Sequence, residues 1–124
     1  MKNIAIKEHH LYNKAYRKGK SYVGKLTAVY VLEDYKAERL KKENPEKKYV
    51  NRVGLSVSKK LGGAVGRNRA KRLIRAGFDP IRGKISAGYL IVISARTAIL
   101  DKKSTDVAVE LETAFRTLGL YKDN

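Results

Sequence analysis

The chain has 124 residues, no cysteine, and 28 Lys plus Arg against 12 Asp plus Glu, a formal net charge of +16. One domain of this length buries roughly two thirds of the surface its unfolded chain exposes. It needs no staple, and the lack of Cys excludes disulfide scaffolds and thiolate metal sites. The longest uncharged apolar runs, such as 89–95, fall far short of the about 20 residues of a membrane span, and residues 1–10 have no apolar signal-peptide core. The expectation is a cytoplasmic protein with no membrane contact. Hydrophobic residues make up 43%, ordinary globular usage. The charge therefore sits on a folded surface, where a polyanion relieves its self-repulsion, and nucleic acid is the abundant one.

In chain order, residues 8–18 read as a short helix with Leu11 and Ala15 on one stripe and Tyr12 and Tyr16 on the next, ended by Gly19. Residues 21–32 read as one extended segment rich in β-branched and aromatic residues, with Leu26, Ala28, Tyr30 and Leu32 sharing a face. Residues 33–48, EDYKAERLKKENPEKK, lack apolar periodicity and read as a charged, flexible connection within a single domain spanning 1–124. Residues 49–58 form a second extended segment with Val53, Leu55 and Val57 on the core face and Gly54, Ser56 and Ser58 opposite. After the break at 59–63 a helix runs from about Ala64 to Ala76, stopped by Gly77 and Pro80. Residues 88–94 are the most apolar strand, read as central. Residues 104–118 are an amphipathic helix with Val107, Leu111, Phe115 and Leu118 inward and Asp106 and Glu110 suited to its positive end. Helix, strands, basic helix, strand, helix is an α+β order, a single-domain α/β sandwich.

The informative helix carries five cations in nine residues, Arg67, Arg69, Lys71, Arg72 and Arg75. At about 100° per residue Arg67, Lys71, Arg75, Asn68 and Arg72 fall within an arc of roughly 140°, with Arg69 apart, while Gly66, Ala70, Leu73 and Ile74 occupy another arc. Like charges at i and i+4 repel. A row that repeats them with no interleaved acid is built to face phosphates.

Other signals carry less. His9 and His10 diverge on a helix and cannot chelate as an i, i+4 pair would. Gly62, Gly63 and Gly66 lack the Gly-Lys-Ser/Thr of a phosphate loop, and Gly63 to Gly66 follows a strand where a KH loop joins two helices. No Ser or Cys has a partnered His. Glu33, Asp34, Asp79, Asp101, Asp106 and Glu110 are scattered and read as cap and solubility residues, which leaves no catalytic or metal-binding set. Tyr12 and Tyr16 suit either partial core or a platform for stacked bases.

The stretch 53–76, VGLSVSKKLGGAVGRNRAKRLIRA, resembles the bacterial ribonuclease P protein subunit, whose signature Arg-Asn-Arg helix is Arg67, Asn68 and Arg69 here. The resemblance extends to nearly the whole chain. It implies an α+β sandwich with a left-handed βαβ crossover around the basic helix, and a cofactor role beside an RNA that removes the 5′ leader of precursor tRNA. The Mg2+ belongs to that RNA, and no catalytic residue, metal ligand or obligate protein partner falls on this chain. The implied contacts to the catalytic RNA are Lys59, Lys60, Arg67, Asn68, Arg69, Lys71, Arg72 and Arg75. The implied leader cleft is Tyr12, Tyr16, Ala28 and Tyr30 with Lys71 and Arg75. The rival readings are a ribosomal or other structural RNA-binding protein and a protein-only nuclease.

Overall fold

The computed structural model describes residues 4–6, 9–34 and 51–122. Among them five strands, β1 (Ile4–Ala5), β2 (Lys20–Val23), β3 (Thr27–Glu33), β4 (Arg52–Ser56) and β5 (Tyr89–Ala95), form one sheet in the order β1-β4-β5-β3-β2. Among the described residues three helices, α1 (His9–Lys18), α2 (Ala64–Phe78) and α3 (Ser104–Thr117), cover it, with 3-10 turns at Lys59–Leu61 and Thr97–Asp101. Most of the charged connection, 35–48, lies outside the described residues, as do Glu8 and Tyr49.

The two faces follow from strand alternation. Ile91 and Ile93 of β5 pack with Val29 and Val31 of β3 against Ala70, Ile74 and Phe78 of α2 and Val107, Leu111 and Phe115 of α3. On the other face Leu90 and Val92 meet Leu11 and Ala15 of α1, with Tyr12, Tyr30 and Leu32 at the margin. Since β5 is buried on both faces, it reads as a continuous apolar run.

Pairing is mixed: β5 runs parallel to β4 and antiparallel to β3. The bonds from Asp34 N–H to Gly88 O and from Arg96 N–H to Leu26 O, both 2.9 Å, continue the β3–β5 ladder. They show that even-numbered β5 residues turn their backbone groups toward β3 and odd-numbered ones toward β4. Side chains of the odd residues face α2. For L-residues this places β4 to the right of β5 when both run upward and α2 lies nearest the viewer. The chain then crosses leftward over that face, so β4–α2–β5 is a left-handed crossover, against the common rule.

Three boundaries differ from the sequence reading. Residues 21–32 are two strands of a hairpin: Gly24 N–H bonds to Thr27 O at 2.8 Å, and the Glu110 carboxylate of α3 accepts from the N–H groups of Lys25, Leu26 and Thr27 and from the Thr27 hydroxyl at 2.7–3.1 Å. Leu26 thereby joins the α2/α3 core, away from Tyr30 and Leu32. Gly77 does not stop α2, which continues to Phe78. Instead a Cβ at Gly77 would lie 2.7 Å from Val107 Cγ1, so this glycine lets α2 and α3 approach. Finally, β1 pairs in parallel with β4 through Ile4↔Arg52 and Ala5↔Val53, a short edge strand without a sequence signature.

Candidate nucleic-acid interface

The basic row is carried by α2, whose inner stripe is buried as Ala70, Ile74 and Phe78. Arg67 and Lys71 are half-buried, while Asn68, Arg69, Arg72 and Arg75 are exposed. Lys59 and Lys60 stand exposed on the 3-10 turn leading into the helix. Arg69, set apart by the helical arc, donates its Nε–H to Leu100 O at 3.1 Å, tying α2 to the turn after β5.

Between α2 and α1, over the β4 edge of the sheet, lies a groove of about 600 Å³. Lys71 and Arg75 line one side and Tyr12 the other, with Val53, Gly54 and Leu55 between them. Ala5 and Ile6 contribute from β1 and the residue after it, and Asp79 and Arg82 from beyond α2. Asp79 and Arg82 form an exposed ion pair at 3.2 Å, so Lys71 and Arg75 dominate the charge of the groove. Burial raises the pKa of the Tyr12 phenol above its ordinary value, and the nearby Tyr16 adds to the shift.

The remaining aromatic residues of the expected cleft sit further across the same sheet face. Gly54 pairs with Val92, and Val92 with Tyr30, so the three form a row from β4 to β3. Tyr16 stands on Tyr30 edge to face, ring centroids 4.8 Å apart at 84°. Tyr16 is 37% exposed, whereas Ala28 is only 6% exposed and offers a ligand almost no surface. The structure thus brings Tyr12, Lys71 and Arg75 to one groove and places Tyr16, Tyr30 and Ala28 beside β3, outside its lining.

Sequence reasoning missed Gly54, Asp79, Arg82 and the β1 segment in this groove. A glycine between Val53 and Leu55 was the available signal, since a strand interior rarely carries one without a close approach. Among the described residues no three His, Asp or Glu side chains converge as a metal site would require, and no helix is long and apolar enough to cross a membrane.

Comparison with known proteins agrees with this fold. The Ribonuclease P family profile matches residues 1–119. The ribonuclease P protein component of Clostridium acetobutylicum is 35% identical over 120 residues, covering 97% of this chain and 92% of that one. Its counterpart in Clostridium botulinum strain 657 is 34% identical over 122 residues, covering 98% and 99%. Among solved structures, the RNase P protein of Staphylococcus aureus superposes with a TM-score of 0.74 at 30% identity, over 98% of this chain and 100% of that one. The RNase P protein of Thermotoga maritima, at 22% identity and a TM-score of 0.68, shares the fold over 88% of this chain and 92% of that one. With the Arg-Asn-Arg helix, the α+β sandwich and full-length similarity all in agreement, the chain belongs to the ribonuclease P protein family.

Proposed function

We propose that this chain, as the protein component of ribonuclease P in tRNA processing, grips the catalytic RNA with α2 and the preceding turn and receives the precursor tRNA leader in the groove. The observation that carries the reading is the meeting of Tyr12 with Lys71 and Arg75 in one open groove. Single-stranded nucleic acid is held by stacking on aromatic faces beside a cationic track, with little sequence preference. Tyr12 supplies the first, Lys71 and Arg75 the second.

Lys59, Lys60, Arg67, Asn68, Arg69 and Arg72 lie outside the groove lining and are the surface for the catalytic RNA. Their cations neutralise phosphates, and Asn68 adds a hydrogen-bonding amide. Leader cleavage belongs to the RNA and its Mg2+. This chain orients the substrate and screens phosphate repulsion, so the holoenzyme should turn over at a magnesium concentration that leaves the RNA nearly inactive. The working compartment of such a complex is the cytoplasm.

The test combines the purified chain with a bacterial ribonuclease P RNA at low magnesium and follows release of the leader. Expected are leader removal by the mixture, little by the RNA alone, and none by the chain alone. Cleavage by the chain alone would establish a protein-only nuclease. An equal magnesium requirement with and without the chain would remove the cofactor role.

A further inference from the structure

Gly54 is buried in the middle of β4, in a strand that offers no backbone reason for glycine. Its φ is not among the positive values, which among the described glycines belong to Gly62, Gly88 and Gly119. A strand-interior glycine forfeits side-chain packing and carries extra unfolded-state entropy. Something close by must therefore occupy the place of its side chain. That occupant is Tyr12: a Cβ on residue 54 would lie 2.6 Å from Tyr12 Cζ and 2.8 Å from Cε1, and closer still to the hydroxyl oxygen. Carbon atoms in side chains do not pack at such distances.

We propose that Gly54 is a positioning residue for the leader: its missing side chain is the slot into which the tip of Tyr12 settles, which holds the ring in the groove opposite Lys71 and Arg75. This rests on the reading of the groove as the leader site. Tyr12 is only half-buried, packing at the margin of the cluster, while the buried contacts of α1 with the sheet are those of Leu11 and Ala15. A methyl group at position 54 has one easy relief, rotation of the Tyr12 ring out toward solvent. The sheet and α1 would stay where they are, while the aromatic wall would leave the groove.

The experiment uses the reconstituted holoenzyme with wild-type chain, Gly54→Ala, Tyr12→Ala and the double variant. It measures the affinity of each for precursor tRNA and for mature tRNA, which has no leader. Alkaline titration of the tyrosines in the free chain reads the position of the ring independently of RNA. Expected is a loss of about tenfold in precursor affinity for Gly54→Ala, with mature tRNA bound as before. Tyr12→Ala should lose as much, and the double variant no more than either, because both changes remove one interaction. In Gly54→Ala the Tyr12 phenol should ionise at lower pH than in the wild type, as its ring gains water.

If Gly54→Ala alone fails to fold while the double variant folds with the affinity of Tyr12→Ala, the slot is again supported, since removing the ring relieves the clash. If Tyr12→Ala weakens precursor binding and Gly54→Ala does not, the positioning role is overturned and the groove still receives the leader. If Gly54→Ala weakens precursor and mature tRNA alike, or its effect adds to that of Tyr12→Ala, the glycine serves only the fold and the proposal is overturned. If Tyr12→Ala changes nothing, the groove reading itself falls and takes the proposal with it.

Discussion

The guanidinium of Arg52 is locked to the carboxylate of Asp34, with Nε 2.6 Å from Oδ2 and Nη2 2.8 Å from Oδ1, and both side chains are at least nine-tenths buried. Asp34 follows β3 and Arg52 opens β4, and the two strands lie on either side of β5. The pair therefore clamps the sheet across its central strand at the end where the charged connection leaves. A buried ion pair returns little net stability against well-packed apolar residues, but removing one partner strips a buried charge of its bidentate counter-ion. Asp34→Ala should cost about 3–5 kcal/mol, read as a fall in the urea midpoint with unchanged slope. A loss well under 1 kcal/mol would mean that the arginine finds other compensation.

A second carboxylate, Glu110, does for the β2–β3 turn what a capping residue does for a helix end. It takes in the N–H groups of Lys25, Leu26 and Thr27 and the Thr27 hydroxyl. Glu110→Gln keeps the shape but presents an NH2 group to several donors, and charge-assisted bonds to backbone N–H groups are the strong kind. It should cost about 1–3 kcal/mol, and amide hydrogen exchange at residues 25–27 should accelerate. Unchanged exchange there would show that the hairpin holds the turn without α3.

Most of the elements were legible because their causes are local. The stripe of Ala70 and Ile74 set the inward face of α2, and the uninterrupted apolar run of β5 marked a strand buried on both sides. What escaped the sequence depends on partners far along the chain. Glu110 read as a helix-start acid, yet its ligands are more than 80 residues away. Gly77 read as a stop and is a contact point for Val107. Asp34 read as a surface acid because nothing in 33–48 announces Arg52. In the groove, helical spacing put Lys71 and Arg75 on one outward row but left Tyr12 open between partial core and a stacking platform. Its place beside them came only from the family resemblance, while Asp79, Arg82 and Gly54 enter only through the crossover that folds α2 back over β4.

The basic helix divides by burial into two classes of variant. Ile74 is fully buried, so Ile74→Ala should lose about 2–5 kcal/mol of stability. Leu73 is only half-buried and should lose less. Arg67→Ala, Lys71→Ala and Arg75→Ala should melt close to the parent while losing about 1–3 kcal/mol of RNA affinity each. Arg69→Ala should show a small stability loss as well, through the bond to Leu100 O. Filter binding beside thermal melts separates the classes, and equal affinity in all three cation variants would remove α2 from the interface.

Titration of Tyr12 gives a pH dependence whose sign follows from its environment. Burial, then the neighbouring Tyr16, raises its folded-state pKa, while in the unfolded chain it ionises near the ordinary value of about 10. Between those two values the unfolded state has released the proton and the folded state has not, so stability falls as pH rises through that window. Below the unfolded value the contribution is complete. Tyr12→Phe should remove both a phenol that ionises above the ordinary range in a spectrophotometric titration and this part of the alkaline loss. A titration curve in which the late phenol survives Tyr12→Phe would assign the shift to another tyrosine.

The two aromatic positions on the α1 side can be resolved by leader length. Tyr12 lines the groove over Gly54, whereas Tyr16 leans on Tyr30. Residues 54 and 30 are separated by the width of β5, two strand spacings or about 10 Å. A single strand crossing the groove and continuing over this face would meet the two rings with different nucleotides. Shortening the leader one nucleotide at a time should therefore abolish sensitivity to one tyrosine before the other, with Tyr12→Ala and Tyr16→Ala each costing about 1–3 kcal/mol on a full leader. Ala28, being buried, should contribute nothing directly, and Ala28→Gly should leave leader affinity unchanged. Simultaneous loss of both sensitivities would mean that one base touches both rings. Insensitivity to Tyr16→Ala at every length would confine the leader to the groove between Tyr12, Lys71 and Arg75.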